Sequence, residues 1–334
     1  MSKRIVALIK LVILAAILFW LFKSFPSEHW KTLAEQPKNW GWLGFALLAV
    51  MAANLISFLR WRLLVRALDV PFTVVDAIRL GFLGCLFNLV SAGSVGGDLF
   101  KAIAAARKAD KKRPEVVGSV IVDRAVGLLG LVIVAAVSLQ FLATDSLSEK
   151  MEWIRQGAWA LSAVGVVGLG VVVLFGKWLP LSWISKIPFL GHAFYRMAHA
   201  GLIFYGRGKL VCVMLAISLA VHSCLTLSTY WISSSLYADS PNLREHFLVI
   251  PPAMAAGALP LTPGGLGVQE AAIQKLFEQL PNRSEQFSGL VTAAMYRLLT
   301  FVVAGVGAIY YFFGAQDLQW IRKNSSSSLM SDNR

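Results

Sequence analysis

Two short stretches of the chain combine glycines with one acidic side chain, and an arginine follows each of them inside an apolar run. The first stretch, "GSVGGDLFKA", contains Asp98, and the second, "TPGGLGVQEA", contains Glu270. Asp98 precedes Arg124 by 26 residues, and Glu270 precedes Arg297 by 27. A guanidinium group has a planar set of donors that suits a carboxylate or a phosphate. The repeated spacing therefore predicts a polar site that could bind a phosphate-bearing group.

The glycines of the two stretches have a predicted role of their own. Glycine permits tight turns and a close approach of the backbone. A helix that starts after such a turn presents unbonded N–H groups, which favour anions such as phosphate. The candidate substrate-binding residues are Gly96, Gly97, Asp98, Lys101, Arg124, Pro263, Gly264, Gly265, Gly267, Glu270 and Arg297.

Arg124 and Arg297 are predicted to lie near the centre of a bilayer. A rise of about 1.5 Å per residue places them roughly 14 and 18 Å along their helices, counted from Glu115 and Glu285. An arginine at this depth costs at least about 2.5–3.5 kcal/mol on insertion scales, so something must compensate for it. Two interpretations remain open and overlap: each arginine ties neighbouring helices together, or both bind the phosphate of a substrate.

The two acids also allow two interpretations. Asp98 could cap a helix N-terminus, and Thr262 with Pro263 resembles an N-cap followed by the first helical residue. Alternatively, Asp98 and Glu270 could pair with the arginines, bind a cationic headgroup or carry protons, since acids inside membranes are usually functional. Lys101 lies one turn after Asp98, where it could pair with that carboxylate or reach a headgroup.

The sequence offers little sign of an enzyme or of a metal protein. It contains no H-E-x-x-H, G-x-S-x-G or Walker A motif. Its three cysteines fall in apolar runs without a C-x-x-C pair, which predicts buried thiols and neither a disulfide nor a metal cluster. We therefore predict no catalytic residue, no metal and no cofactor. Lesser candidates for a polar role are Asn54, Asn88 and His222.

The composition predicts the kind of fold that positions these residues. Hydrophobic residues make up 57% of the 334 and charged ones 15%, and the mean hydropathy is +0.66. Soluble domains carry about 25% charged residues. The sequence thus predicts a single all-α integral membrane domain over residues 1–334. The predicted full spans are 5–22, 40–59, 115–140, 157–176, 210–235 and 286–313.

Two further apolar regions, 74–107 and 246–280, are broken. Each contains one of the glycine stretches, and the arms on either side of it are short or carry charges. Pro251 and Pro252 are expected to break the first arm of the second region. We predict two re-entrant helical hairpins, because irregular backbone at membrane depth survives only when it is buried in protein or lines a cavity.

The distribution of charge predicts the orientation. The formal net charge is +13. With the N-terminus inside, 21 of the 31 Lys and Arg residues fall on the inner side and eight on the outer side. The positive-inside rule explains this bias better than a nucleic-acid partner does. We expect a multi-pass protein of the inner (cytoplasmic) membrane with both termini in the cytoplasm.

The spans and hairpins form two similar units. Residues 5–140 and 157–313 each hold three spans and one hairpin, and the odd number of spans inverts the second unit relative to the first. This predicts an inverted-topology repeat of six spans and two hairpins, or eight spans if each hairpin counts as one. Residues 177–209 read as an interfacial elbow on anionic lipid, a simple connector, or both. Residues 324–334 read as a disordered tail.

The motifs resemble those of a known family. "VGGDLFKA" followed by "VDRAVGLL", and "TPGGLGVQEAA" followed by "MYRLL", are similar to the lysylphosphatidylglycerol synthase/flippase transmembrane family over about 5–313. The resemblance implies a multi-span inner-membrane protein with a lipid-translocating role. Full-length synthases of the family also carry a soluble aminoacyltransferase domain. Only 21 residues follow Phe313, so the resemblance implies the stand-alone membrane unit and not aminoacyl-lipid synthesis.

The leading hypothesis is a flippase-like transporter of a membrane phospholipid or another phosphate-bearing lipid. A second hypothesis is a membrane-embedded enzyme that acts on a lipid headgroup or a lipid-linked sugar, with Asp98 or Glu270 as acid or base. A third is a membrane partner of a separate lipid-modifying synthase, docked through 177–209 or 107–115.

Overall fold

The structure is a computed structural model that describes residues 38–90, 96–109, 112–141, 149–178, 201–258, 267–280 and 286–313. These residues form nine α-helices and no strand. The helices are α1 (Trp40–Ala67), α2 (Val74–Val90), α3 (Gly96–Ala106), α4 (Arg113–Phe141), α5 (Glu149–Phe175), α6 (Gly208–Leu236), α7 (Leu243–Gly257), α8 (Val268–Phe277) and α9 (Gly289–Phe313). Two short 3-10 helices, Gly176–Trp178 and Leu202–Phe204, lie between α5 and α6.

Five of these helices, α1, α4, α5, α6 and α9, are long and apolar enough to cross a membrane. They coincide with five of the six predicted spans, and the sixth, 5–22, lies outside the described residues. Several helices extend beyond the predicted apolar segment; α1, for example, continues to Ala67. At 28 residues α1 is about 42 Å long, so it extends beyond a hydrocarbon core of roughly 30 Å.

The broken region 74–107 forms a hairpin from α2 and α3. At about 25 and 16 Å these helices are shorter than the hydrocarbon core. Asp76 in the first turn of α2 forms an ion pair with Lys108, just after α3, so the hairpin begins and ends at the same end of the bundle. Near the turn, the Gly97 N–H donates to Asn88 Oδ1 at 2.8 Å. A Cβ at Gly97 would run into the Gly84 carbonyl, so glycine is needed for this close approach.

The second broken region forms a matching pair, α7 and α8. The expectation that Pro251 and Pro252 break the first arm is wrong, because α7 continues through both prolines to Gly257. Both prolines are buried, and burial of this helix offsets the hydrogen bonds that proline cannot donate. His246, in the first turn of α7, contacts the ring of Phe277 at the end of α8, with centroids 5.2 Å apart.

Contacts at the two ends of the bundle fix the relative direction of α1 and α6. At one end, here called the basic end, α1 ends, α2 and α4 begin and α3 ends. Lys112 Nζ donates to the Leu68 carbonyl at 2.7 Å, and Arg207, before α6, binds the Ala67 carbonyl. At the opposite end the Asn39 N–H donates to the carbonyl of Ser235 at 3.0 Å. Helices α1 and α6 therefore lie antiparallel along each other.

The two predicted units, 5–140 and 157–313, here called the two parts of the chain, pack in one pattern. Helix α1 packs against α6. Helix α2 packs against α9, and α7 packs against α4. Within each part, the second hairpin helix packs on the span that follows it, α3 on α4 and α8 on α9. Each hairpin thus lies between a span of its own part and a span of the other part, and this arrangement positions the candidate site.

The remaining predictions concern the periphery. Helix α5 packs mainly on α4 and exposes large apolar side chains such as Trp153, Leu161 and Val164, as a lipid-facing span does. The predicted interfacial elbow, 177–209, lies mostly outside the described residues. The predicted disordered tail, 324–334, lies wholly outside them.

We predict that Gly307→Ala destabilises the bundle while Gly305→Ala does not. A Cβ at Gly307 would run into the Phe82 carbonyl oxygen and approach Leu86 Cβ to 3.2 Å, whereas a Cβ at Gly305 meets nothing within 4 Å. Forcing a methyl group into packed backbone costs about 1–3 kcal/mol. Thermal unfolding in detergent measures the effect. Equal melting temperatures for the two variants would show that α2 and α9 are not in close contact.

Candidate functional site

The first acid, Asp98, is the third residue of α3 and meets two cations. Arg124 on α4 forms an ion pair with Asp98 Oδ2 through its Nε. Lys101 Nζ lies 2.9 Å from Asp98 Oδ1, one helical turn further along α3. Asp98 is therefore not an N-cap, because α3 begins two residues earlier at Gly96, and it serves as the ionic partner of Arg124.

This first group of side chains carries a surplus of positive charge. One carboxylate faces two cations, so the group Asp98, Lys101 and Arg124 has a formal charge of +1. The Arg124 side chain is 49% exposed, whereas Lys101 is largely buried and lies over the Trp61 ring, 5.4 Å from its centroid. The group can therefore attract an anion, and Arg124 is the side chain that an anion can reach.

The second acid, Glu270, is the third residue of α8 and bonds in two directions. Its Oε1 accepts from Arg297 Nε at 2.8 Å and from Arg297 Nη2 at 2.6 Å. Its Oε2 accepts the N–H of Gly267 at 2.8 Å. Gly267 is the N-cap of α8 with φ +84°, a conformation that favours glycine. Glu270 thus caps its helix and also binds the arginine.

The two acid–arginine pairs occupy matching positions but differ in exposure and in net charge. In each, an acid at the third position of a short helix meets an arginine on the next span. The Arg297 side chain is only 11% exposed, and its ion pair with Glu270 is formally neutral. The second pair is therefore closed, while the first is partly open and positive.

Sequence reasoning missed an ion pair next to the first site. Arg60 of α1 donates from Nε to Asp123 Oδ1 at 2.8 Å and from Nη1 to Ser218 Oγ at 2.6 Å. The span prediction ended at residue 59, which placed Arg60 in a loop. The available signal was Asp123 itself, an acid directly before Arg124 in an apolar run.

The other predicted residues are placed as follows. Pro263, Gly264 and Gly265 lie outside the described residues, as does Thr262. His222 Nε2 lies 2.9 Å from the Gly127 carbonyl oxygen, so it makes a helix-to-helix contact. Within the ranges given above, no group of three or more His, Cys, Asp or Glu side chains could hold a metal ion.

Comparison with known proteins places the chain in a family. A family model described as "Lysylphosphatidylglycerol synthase TM region" matches residues 7–307. This range agrees with the resemblance seen in the motifs, which extends over about 5–313. No curated protein and no solved structure matches the chain.

We predict that Arg297→Gln destabilises the protein more than Arg124→Gln. Removing Arg297 leaves the buried Glu270 carboxylate without its cation, and breaking a buried pair costs about 3–5 kcal/mol. The effect of Arg124→Gln is smaller, because this side chain is half exposed and Asp98 keeps Lys101. Denaturant unfolding in detergent micelles measures both. A Glu270→Gln/Arg297→Gln double variant should recover stability, and failure to recover any would contradict an ionic origin of the loss.

Proposed function

The chain belongs to the family of the lysylphosphatidylglycerol synthase transmembrane region, and from this premise we propose that it is a flippase-like transporter of a phosphate-bearing lipid across the cytoplasmic membrane. The observation that carries the proposal is the pair of matching acid–arginine contacts, Asp98 with Arg124 and Glu270 with Arg297. Both lie where a short helix begins beside a span, and a guanidinium group is well suited to a lipid phosphate.

The proposed architecture is an inverted-topology repeat with two re-entrant hairpins. The matched packing supports it, because α1 against α6 joins equivalent helices and α2 against α9 has its counterpart in α7 against α4. The ion pair of Asp76 with Lys108, which brings both ends of the first hairpin to the basic end, also supports re-entry. Transporters built in this way expose a midplane site to the two sides in turn.

In the proposed mechanism, Arg124 and Arg297 hold the lipid phosphate in turn while the acyl chains remain in the bilayer. The difference between the two pairs supports this order: Arg124 is half exposed in a group of charge +1, and Arg297 is closed by Glu270. Asp98 and Glu270 balance the charge or carry protons when the phosphate leaves. The movement is driven by a gradient or uses no energy source.

The proposed location is the inner membrane with the basic end in the cytoplasm. Arg62, Arg66, Lys108, Lys112 and Arg113 lie at the basic end. Cytoplasmic segments of membrane proteins are enriched in such residues. Both termini then lie in the cytoplasm, and a separate synthase on that side would supply a modified lipid.

We predict that Arg124→Ala and Arg297→Ala each lower lipid movement about tenfold or more, because a hydrogen bond to a charged group contributes about 1.5–3 kcal/mol. Proteoliposomes with fluorescent phospholipids, aminoacylated lipids and polyprenyl phosphates measure it, since a quencher added outside reports the labelled lipid in the outer leaflet. Arg155→Ala is the matched control, because Arg155 pairs with Glu152 at the start of α5, which packs mainly on α4.

Two results would contradict the proposal. The mechanism is wrong if both arginine variants move lipid as fast as the wild type. If correctly inserted protein moves none of the lipids and extraction shows a chemically altered lipid, the embedded-enzyme hypothesis takes its place.

We further predict that a membrane-impermeant maleimide labels Ala238→Cys, but not Pro71→Cys, in right-side-out vesicles. Both residues are exposed, and they lie at opposite ends of the bundle, in the α6–α7 and α1–α2 connections. The variants are made in a chain whose native cysteines are replaced by serine or alanine. Labelling at position 71 alone would reverse the proposed orientation.

A further inference from the structure

A buried polar cluster joins three helices beside the first acid–arginine pair. Arg60 Nη2 lies 3.2 Å from Asp123 Oδ2 and 3.2 Å from the Asp123 carbonyl oxygen, in addition to the two bonds described above. The side chains of Arg60 and Asp123 are only 5% and 7% exposed. Ser218, which lies on α6, accepts a hydrogen bond from Arg60 and donates one to the Met214 carbonyl at 2.9 Å. The cluster is thus well satisfied, and it connects α1, α4 and α6.

The local sequence leaves space for this cluster. A Cβ at Gly127 would come within 3.0 Å of Arg60 Nη2, and a Cβ at Gly130 would run into Ser218. Both glycines lie on α4, the helix that carries Asp123 and Arg124. The two glycines therefore leave room on α4 for the Arg60 guanidinium beside Asp123.

The residue that precedes the arginine differs between the two pairs. Asp123 directly precedes Arg124, whereas Tyr296 directly precedes Arg297. The shared arrangement of hairpin and span therefore does not require an acid at this position. The aspartate at position 123, which Arg60 of α1 neutralises, therefore distinguishes the first pair from the second.

We propose that Arg60 is a positioning residue of the first phosphate site, and that it acts by neutralising Asp123. The inference rests on the proposed function, in which Arg124 receives a lipid phosphate. With Arg60 in place, Asp98, Lys101 and Arg124 keep a charge of +1 for a phosphodiester monoanion. Without it, the Asp123 carboxylate brings that charge to zero and repels the phosphate, since interactions between charges are poorly screened in this environment.

A purely structural role for the pair predicts something different. Each single neutral substitution would leave one buried charge without a partner, and both would damage the protein in a similar way. The positioning role predicts opposite effects on anion affinity: Arg60→Gln removes a positive charge near the site, whereas Asp123→Asn removes a negative one. The sign of the change in affinity therefore separates the two roles.

The test is binding of dioctanoyl phosphatidylglycerol, a short-chain phosphodiester, to purified full-length protein in a neutral detergent, with dioctanoylglycerol as the ligand that lacks phosphate. We expect Arg60→Gln to weaken binding about tenfold and Asp123→Asn to leave it equal or tighter. The Arg60→Gln/Asp123→Asn double variant should bind nearly as well as the wild type. Arg62→Gln is the matched control on α1, because Arg62 donates to the Phe72 carbonyl at 3.2 Å.

Each outcome decides between the interpretations. Equal weakening by Arg60→Gln and Asp123→Asn, in variants of similar melting temperature, overturns the proposal in favour of a structural pair. If Arg60→Gln does not fold, Asp123→Asn and Arg60→Lys decide, and weaker binding by Asp123→Asn again overturns it. Wild type that binds the phospholipid with the expected order of variants but moves no lipid refutes the transport function alone. No phosphate-dependent binding by the wild type overturns both.

Discussion

A guanidinium group inside a bilayer must be neutralised by a partner that also satisfies its donors, and this constraint organises the bundle. Arg60, Arg124 and Arg297 each meet a carboxylate on another helix. Two of those carboxylates lie at the third position of a short helix, where the unbonded N–H groups of the first turn favour negative charge. The Gly267 N–H that binds Glu270 is the clearest case. A helix that starts inside the bundle can thus supply an acid that the helix itself stabilises.

The hairpins can supply these acids only because the helices approach closely. Lipid chains are as apolar as the side chains they contact, so association of helices in a membrane depends on close packing and small residues. Gly97 lies against the Gly84 carbonyl between α2 and α3, and Gly257 lies against Gln269 between α7 and α8. Gly307 lets α9 reach the backbone of α2. The small residues therefore set the distances over which the ion pairs form.

The sequence predicted those features that leave a strong local signal. Length and hydropathy predicted six spans, five of which coincide with described helices. The cost of a membrane arginine predicted a compensating group, and pairing with Asp98 and Glu270 was one of the alternatives that the sequence left open. It wrongly predicted a break at Pro251 and Pro252, where α7 continues because tertiary burial overrode the local preference of proline. It also missed the contact of Arg60 with Asp123, which depends on how three distant segments pack. The difference in exposure between Arg124 and Arg297 is likewise a property of packing that no motif encodes.

That difference has a consequence for the proposed transport cycle. A phosphate that enters the second site must replace Glu270 on Arg297, where the carboxylate holds two N–H groups of the arginine and also the Gly267 N–H. A phosphate can make the same kind of charge-assisted bonds, so the exchange keeps the arginine satisfied but leaves the carboxylate to Gly267 alone. The first site differs, because Lys101 keeps Asp98 neutralised when Arg124 turns to a phosphate. In the proposed cycle, a phosphate on Arg297 would therefore need an added positive charge at the second site, whereas Lys101 already supplies one at the first.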